Sequence, residues 1–542
     1  MTDPNGTVVA GARVTAARVT NRDQKKRHQR YEGGGGVMNG KSEKASVRSF
    51  RNCEKAAVLA VVCLVFMAST YVKVHAQVDT LNASGPNSTH RDSSKELAMG
   101  ISAPFTIAAV GDIIEPEPVS NRADPGFHAL IGIIRSSDVG FANMESSLVD
   151  MHDRDQFLGP LAGTLAPKEV GADIKAMGIT IMNRANNHAL DGDVEGMLST
   201  DHILDELGIV HAGSGRNLDE ARAASFLDTP KGRVGMVGMV SIDSENDDPG
   251  LEYIYMSATH RVGDTGGRPG VNPLRLTTYH LVTPEQMQTL KEFQNSYFGP
   301  AAAAAQATGD TLHLFDEWYK VGTPAGSRSY TINPQDEREI LRSIRNGKVR
   351  SDFMIATIHA HHGEQTIDGV QTVSKFLIEF AHECIDNGAD IFLTHGPHTL
   401  GGVEIYKGKP IFYGLSSFVF QTDLQISYST KDLLTAPGGD SVDFVTGNRS
   451  PLGALIPSSG MVATSHYEGG RLVEVRLYPE YLGGFAARSG DTGIPTTPPP
   501  ELARQILGQL QDLSKPFGTK ITIENNVGVI RVAAAESNQD KN

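Results

Sequence analysis

Five segments of the sequence end in side chains of the kinds that bind metal ions, each directly after a short apolar run. They are Asp112, Glu145, Asn187 with His188, His361, and His395 with His398. Imidazole and carboxylate together favour zinc, manganese or iron, whereas a calcium site would use oxygen ligands only. A carboxylate that bridges two ions would hold them about 3.5–4 Å apart, so that they contact both the attacking and the leaving oxygen. These residue types therefore predict a divalent metal site.

The apolar runs that precede these residues have the pattern of buried strands. They cover residues 105–110, 138–142, 178–182, 353–358 and 390–394. Segments with helical spacing, such as 194–207 and 373–387, alternate with them. This alternation predicts an α/β fold, in which ligands bind at the carboxyl ends of the strands.

Each motif also has a plain structural interpretation when it is taken alone. The Asn186-Asn187-His188 step can cap the helix that follows and fill a turn. A single histidine in a turn is more often a hydrogen-bonding residue than a metal ligand. The prediction of a metal site therefore depends on the recurrence of such residues at five strand ends.

Charge is distributed unevenly along the 542 residues, and this limits the kinds of molecule that the protein is expected to bind. The net charge is −14, yet residues 1–55 contain twelve Lys/Arg and five Asp/Glu, which leaves about −21 on the rest. Nucleic-acid binding requires a basic surface, so the acidic remainder argues against a nucleic-acid partner.

The apolar run at 56–72 lies between a basic flank and the tripeptide Val74-His75-Ala76. This pattern predicts a secretory signal over 56–76, cleaved after Ala76. The alternative is an uncleaved anchor, because seventeen residues lie at the short end of the spanning range. In both cases the protein is expected to be exported, and Met38 is a possible start that would shorten the leader.

Composition divides the rest of the chain into regions. Residues 1–55 are a basic region expected to be disordered, and the polar residues 77–104 are expected to be a linker. The α/β domain is expected at 105–425, with an insertion or lid at about 244–350 where the pattern weakens. Residues 426–542 are expected to form a C-terminal extension with a small α+β unit.

The motifs resemble a known family in their residues, order and spacing. Gly111-Asp112, Asn143-Met144-Glu145, residues 185–188, 361–364 and 395–398, and the run 411–418 resemble the CapA-type proteins of poly-γ-glutamate capsule synthesis. The resemblance covers residues 105–425. That family looks like a branch of the calcineurin-type metallophosphoesterases. The resemblance thus implies a four-layer α/β/β/α sandwich, a dinuclear metal centre and an exported, membrane-associated protein.

The resemblance also implies a role for each metal-type residue. Asp112 and His398 would bind one ion, and Asn187 and His361 would bind the other. Glu145 would occupy the position where the wider superfamily often has a bridging Asp. His395 completes the implied set of ligands.

Other roles implied by the resemblance concern catalysis and the substrate. His188 would act as the acid or orient the scissile group, together with Asp112 at the centre. Glu364 would orient an imidazole. Arg268, in an Arg-Pro-Gly element, would meet an anionic substrate, although a solvated loop arginine is an equal interpretation. Two positions depart from the family pattern, namely His362 in place of Trp and Gly396 in place of His.

Three functions remain open at this point. The first is a metal-dependent hydrolase that acts on an extracellular γ-linked glutamate polymer. The second is a non-catalytic export or scaffold component that binds the polymer, the membrane or capsule-synthesis proteins. The third is a cell-surface phosphoesterase with a small phosphoester substrate. Fold alone does not distinguish them.

Overall fold

Strands and helices alternate through most of the region where the periodicity predicts them. The structure is a computed structural model that describes residues 97–150, 164–243, 256–263, 265–299, 307–365, 371–421, 459–483 and 493–532. Within these residues no helix is both long and apolar enough to cross a bilayer. The predicted basic region at 1–55, the predicted signal or anchor at 56–76 and most of the predicted linker lie outside the described residues.

The strands and helices are named here in chain order. The strands of the first half are β1 (Phe105–Ile114), β2 (Val139–Met144), β3 (Ser147–Val149), β4 (Leu165–Pro167), β5 (Ile181–Asn183), β6 (Val210–Ala212), β7 (Ser214–Gly215), β8 (Ser225–Thr229), β9 (Gly232–Asp243), β10 (Gly270–Val271), β11 (Pro273–Val282), β12 (Ala307–Thr308) and β13 (Thr311–Leu314). Those of the second half are β14 (Glu317–Val321), β15 (Arg328–Ile332), β16 (Phe353–His359), β17 (Gly363–Gln365), β18 (Gln371–Val373), β19 (Ile391–His395), β20 (Val403–Tyr406), β21 (Lys409–Phe412), β22 (Ser417–Phe420), β23 (Ser459–Glu468), β24 (Arg471–Tyr481), β25 (Thr522–Glu524) and β26 (Val527–Arg531). The α-helices are α1 (Pro125–Arg135), α2 (Glu169–Ala176), α3 (Asp193–Leu207), α4 (Leu218–Ala221), α5 (Pro284–Phe298), α6 (Pro334–Lys348), α7 (Lys375–Asp386) and α8 (Pro500–Ser514).

Two large mixed sheets contain most of the strands. The first has the order β25-β26-β24-β23-β1-β2-β5-β6, and β22 also pairs with β1. The second has the order β12-β13-β14-β11-β9-β16-β19-β21-β20, with β15 on β11 and β8 on β9. The central pairs β1–β2, β2–β5, β9–β16 and β16–β19 are parallel, so their carboxyl ends lie at one edge of each sheet. The predicted α/β class is therefore confirmed.

Apolar side chains from both sheets share one core cluster. Phe105 and Phe141 of the first sheet belong to it together with Met236, Phe353 and Leu393 of the second. A second cluster joins the first sheet to α1 and α2, and a third joins the second sheet to α6 and α7. Burial of this apolar surface, at about 25 cal/mol per Å², is the main force that fixes the strands.

Helix ends are defined by the local signals that the sequence contains. Asp124 accepts a hydrogen bond from the Phe127 N–H at the start of α1, and Pro125 occupies the first turn. Thr283 and Gln286 form a capping box on α5. Helix α3 ends at Gly208, whose φ of 66° is the left-handed conformation that glycine adopts without a steric penalty.

The predicted insertion and the predicted C-terminal extension both contribute strands to the two large sheets. Within the predicted insertion at 244–350, β11 pairs in parallel with β9, and α6 packs on the second sheet. Within the predicted C-terminal extension, β23 pairs antiparallel with β1, and β24, β26 and β25 continue that sheet. The C-terminal strands thus extend the first sheet from the β1 edge. Ile101, near the end of the predicted linker, is also buried in the core.

Glu480 of β24 is a buried carboxyl group that makes stability depend on pH. It is fully buried, and its carboxyl oxygens have no hydrogen-bond partner among the described residues. Burial raises the pKa of Glu480 well above its ordinary value. The folded protein therefore retains this proton at pH values where the unfolded chain has lost it, so this site stabilises less as pH rises.

We expect Glu480→Gln to remove this loss of stability. The amide does not ionise. The difference in melting temperature, variant minus wild type, should therefore be at least about 2 °C larger at pH 8 than at pH 5. Thermal unfolding of both proteins across this range measures the difference. A difference that is constant with pH would contradict the assignment, since other titrating groups are common to both proteins.

Candidate metal centre

The predicted strand ends meet because parallel pairing brings them into register. In the first sheet Asp112 pairs with Asn143, and Asn143 pairs with Asn183 on the next strand. In the second sheet His359 pairs with His395, the last residues of β16 and β19. Asp112 Oδ1 lies 3.4 Å from His395 Nδ1 and 3.7 Å from His359 Nδ1, so the two sheets contribute to one site.

Six histidine and carboxylate side chains lie together at this edge. Within the described residues they form three overlapping groups whose possible ligand atoms all lie within 4.8 Å of one another. The groups are Asp112 with His359 and His395, Glu145 with His359 and His361, and Asp112 with Glu145 and His398. Five of these residues are among the six predicted ligands, and His359 is an addition.

Asp112 is the carboxylate on which the site converges. Its Oδ1 accepts a hydrogen bond from Asn143 Nδ2 at 2.8 Å, and its Oδ2 accepts one from the Gly396 N–H at 3.0 Å. Burial raises the pKa of Asp112, but hydrogen bonds and charge from His395 and His398 outweigh burial and bring the pKa well below its ordinary value. Asp112 is therefore ionised, as a metal ligand must be.

His359 was missed by the sequence reasoning although it ends a predicted strand. It is fully buried, and its Nδ1 and Nε2 atoms lie 3.0 Å from His395 Nδ1 and His361 Nε2 respectively. Burial and the neighbouring His361 hold the pKa of His359 well below its ordinary value. Burial, then the charge of His398, lowers the pKa of His361 to about 3. Both imidazoles are thus neutral, the form that binds metal ions.

The loop after β19 requires the glycine that departs from the family pattern. Gly396 has a φ of 117°, and a Cβ there would lie 3.2 Å from His359 Nε2 and 3.1 Å from the Ala360 nitrogen. Because a side chain is strained in this conformation, the histidine expected from the resemblance does not fit here. The same turn places His398, at φ 53°, with its Nδ1 atom 3.1 Å from Asp112 Oδ2 and 2.9 Å from Ser417 Oγ.

A network of three asparagine side chains is hydrogen-bonded to the Asp112 carboxylate. Asn143 donates to Asp112, and its Oδ1 accepts hydrogen bonds from Asn183 Nδ2 at 2.9 Å and Asn186 Nδ2 at 3.1 Å. All three asparagines are buried. Asn186 Nδ2 also donates to the Met144 carbonyl at 2.7 Å, which ties the Asn-Asn-His turn to the end of β2. These partners fix the orientation of the Asp112 carboxylate.

We expect Asn143→Ala to weaken metal binding about 10–100-fold, the usual effect of removing a group that orients a ligand. Equilibrium dialysis with manganese or zinc measures this affinity. Asn217→Ala is the matched control, because Asn217 is also buried but caps α4. Equal metal affinity in the two variants would contradict the orienting role of Asn143.

His188 forms a hydrogen-bonded pair with an acid that the sequence reasoning did not assign. Its Nδ1 atom lies 2.7 Å from Asp191 Oδ2, which also accepts hydrogen bonds from the Thr164 N–H and hydroxyl at 2.7 and 2.6 Å. Burial lowers the pKa of His188, but the charge and hydrogen bond of Asp191 outweigh it, so the net pKa is raised. The His188 side chain is 21% exposed, whereas those of Asp112, Glu145, His359 and His395 are fully buried.

The remaining predicted residues have different positions. Asn187 is buried, and its Oδ1 has no hydrogen-bond partner among the described residues. Arg268 is exposed, and its Nε and Nη2 atoms donate to the Ser257 carbonyl at 3.1 and 2.8 Å. Glu364 lies in β17, and its side chain is outside the described part of the structure. The proposed roles of these three residues in ligation, substrate binding and orientation stay predictions.

His362, at the position of the expected tryptophan, packs as an aromatic ring. Its ring meets those of Tyr330 and Phe376 edge-on, with centroids 5.2 and 6.3 Å away. Its Nδ1 atom lies 2.8 Å from Ser241 Oγ. His362 thus packs against aromatic side chains directly after His361 in the chain.

The chemistry of the donors fits a divalent transition metal. Four imidazoles and two carboxylates converge from the ends of several strands, and a buried amide oxygen, that of Asn187, is available at the neighbouring turn. Such a set of nitrogen and oxygen donors suits zinc, manganese or iron better than calcium. Fold and site together define a mixed α/β protein with a histidine-carboxylate cluster at the carboxyl ends of its strands.

Comparison with known proteins identifies the family. Residues 106–422 match the bacterial capsule synthesis protein family PGA_cap, and this protein belongs to that family. The match includes Asp112, Glu145, His359 and His395. The resemblance to the CapA type, which the motifs indicated, is thereby confirmed.

Several relatives align along much of the chain. An uncharacterized protein of Sinorhizobium fredii, y4sH, is 36% identical over 83% of this chain and 98% of its own length. The capsule biosynthesis protein CapA of Bacillus anthracis is 21% identical over 67% of this chain and 68% of its own. The PGA biosynthesis protein CapA of Bacillus subtilis is 24% identical over 57% of this chain and 62% of its own.

Proposed function

We propose that this protein acts in the synthesis, export or processing of a poly-γ-glutamate capsule polymer through a metal-dependent hydrolase site. Membership of the capsule synthesis family and the CapA relatives support the polymer. The observation that carries the hydrolase assignment is the convergence of Asp112, Glu145 and four histidines at one edge. A purely structural role would not require six such side chains with ligand atoms so close together.

The proposal includes two divalent ions of manganese, iron or zinc. Asp112, Glu145 and His398 would hold one ion, and Glu145, His359 and His361 the other, with His395 beside Asp112. Asn187 would add its amide oxygen. Bound ions would supply Lewis-acid polarisation of the carbonyl or phosphoryl group under attack.

The residues around this centre have roles that follow from their contacts. Asp191 accepts the Nδ1 proton of His188 and so orients the imidazole with Nε2 as the group that exchanges a proton with substrate. The carboxylate of Asp112 is held by Asn143 and Gly396, so its negative charge stays directed at the centre. His188 thus serves as the general acid for the leaving group.

The proposal also covers architecture and location. The sharing of one core between the sheets, with helices on the outer clusters, supports the four-layer α/β/β/α arrangement of the metallophosphoesterases. The apolar run at 56–72 with its basic flank supports export, with the polymer met outside the cytoplasm. Capsule-synthesis proteins are the partners proposed for this location.

The full chain, stripped of metal and reconstituted with manganese, zinc or iron, provides the test. We would measure bound metal per chain and then turnover of γ-glutamyl oligomers and of a generic phosphodiester. The proposal expects cleavage of the oligomers in the reconstituted protein and none in the metal-free protein, which is the matched control.

Other results would replace the proposal. Cleavage of the phosphodiester alone would make the protein a surface phosphoesterase, with Arg268 as the residue to examine next. Bound metal without turnover of either substrate would favour a non-catalytic accessory component. Failure to bind any of the three metals in the folded protein would remove the site itself.

A further inference from the structure

A cavity of about 340 Å³ lies beside the metal centre and is used by none of the roles described above. One part of its wall is formed by Ala360 and Pro397, in the loops that carry His361 and His398. The lining also includes Leu377 of α7, Leu400, and Phe517 just after α8. Its volume is in the range of small-molecule sites.

The wall is apolar and carries little charge. Among the described lining residues Asp512 is the one acidic residue, and none is Lys or Arg. The Asp512 side chain is 72% exposed and pairs with Lys515 at the surface, 2.6 Å away. The described lining offers no Lys or Arg to pair with an anionic polymer or a phosphate. The cavity therefore does not suit the substrate proposed for the metal centre.

Two buried hydroxyl groups in the wall have no hydrogen-bond partner among the described residues. They belong to Ser374 and Thr394, which are both fully buried. Ser374 stands at the N-cap of α7, yet its side chain makes no capping hydrogen bond. A buried hydroxyl without a hydrogen-bond partner destabilises the protein by about 1–3 kcal/mol. A ligand that forms a hydrogen bond with either hydroxyl would remove this cost.

We propose that this cavity binds an uncharged, largely apolar small molecule that carries a hydroxyl or carbonyl group. The apolar body contacts Leu377, Leu400 and Phe517, and the polar group bonds to Ser374 or Thr394. Ala360 and Pro397 connect the cavity to the loops of His361 and His398. The site is separate from the proposed hydrolysis and does not depend on it.

The test uses the full chain and N-phenyl-1-naphthylamine, an uncharged fluorophore that brightens in apolar sites. Ile378, on the wall, would be replaced by tryptophan to fill the cavity, with Val373→Phe as a second filling variant. Lys375→Trp is the matched control on the same helix, because Lys375 is 79% exposed. We expect wild type and Lys375→Trp to bind the probe alike, and both filling variants to bind it at least about 10-fold more weakly. Undiminished binding in folded filling variants would overturn the proposal.

Competition against the probe defines the chemistry of the ligand. We expect 1-naphthol to compete about 2–10-fold better than naphthalene, the effect of one net hydrogen bond, and 1-naphthoate to compete least. The combined Ser374→Ala and Thr394→Val variant should remove the preference for 1-naphthol without lowering the melting temperature. Preferred binding of 1-naphthoate, or an unchanged preference in that variant, would contradict the assignment.

Discussion

Replacement of His359 by alanine is expected to lower metal affinity at least about 100-fold and to remove metal-dependent turnover. His359 belongs to two of the three groups of possible ligands, so its loss leaves Asp112, Glu145 and His398 as the intact group. Removal of an orienting residue alone usually lowers metal affinity about 10–100-fold, and the loss of a ligand itself should lower it further. The primary measurement is the number of metal ions bound per chain after dialysis, determined by inductively coupled plasma mass spectrometry.

Two further variants separate metal binding from folding. His359 is fully buried, so the alanine variant leaves a cavity and loses stability. His359→Gln retains most of the volume and should show the same loss of metal with a smaller change in melting temperature. His382→Ala is the control, since His382 is half-buried and bonds to Glu404 away from the centre. Full metal content in both His359 variants would show that this residue is not a ligand.

His188→Ala is expected to reduce turnover about 10²–10⁴-fold while the bound metal stays the same. His188 is absent from the three groups of possible ligands, and its contact with Asp191 gives it the geometry of a general acid. Asp191→Asn should also reduce turnover, because the amide cannot hold the imidazole in the same protonation state. Turnover and metal content measured on the same samples distinguish this role from ligation.

A histidine of α3, the helix that follows the turn of His188, provides the control for this experiment. His202 of α3 is 71% exposed and pairs with Glu206, so His202→Ala should leave turnover unchanged. Retained turnover in folded His188→Ala would sink the assignment of the acid. Loss of metal together with turnover would instead make His188 part of the ligand set.

Two residues of the site, His359 and Asn143, were not assigned to it from the sequence. His359 follows Ile355 and Thr357 at alternate positions of one strand, and Thr357 Oγ1 lies 3.1 Å from His395 Nε2. The period of two could therefore have placed His359 on the same face as the site. Asn143 belongs to a motif that the sequence singled out, but its orienting role had no local signal, because it depends on Asn183 and Asn186, which lie 40 and 43 residues further along the chain.

The sequence by itself determined the central strands, the helices between them and the set of metal-type residues at the strand ends. Apolar periodicity and polar ends are local properties, and short-range sterics and burial translate them directly into elements. The family resemblance was also readable from the order of the motifs.

Only the tertiary structure decided which of these residues meet and what surrounds them. The pairing of β1 with β23 joins residues as far apart as Phe105 and Tyr467, so the place of the C-terminal strands was not encoded in any local pattern. The contact of Asp112 with His359 and His395 likewise requires two sheets to pack on one core. Non-local pairing depends on the burial that the whole chain achieves, and this is why the ligand geometry and the apolar cavity emerge only in the fold.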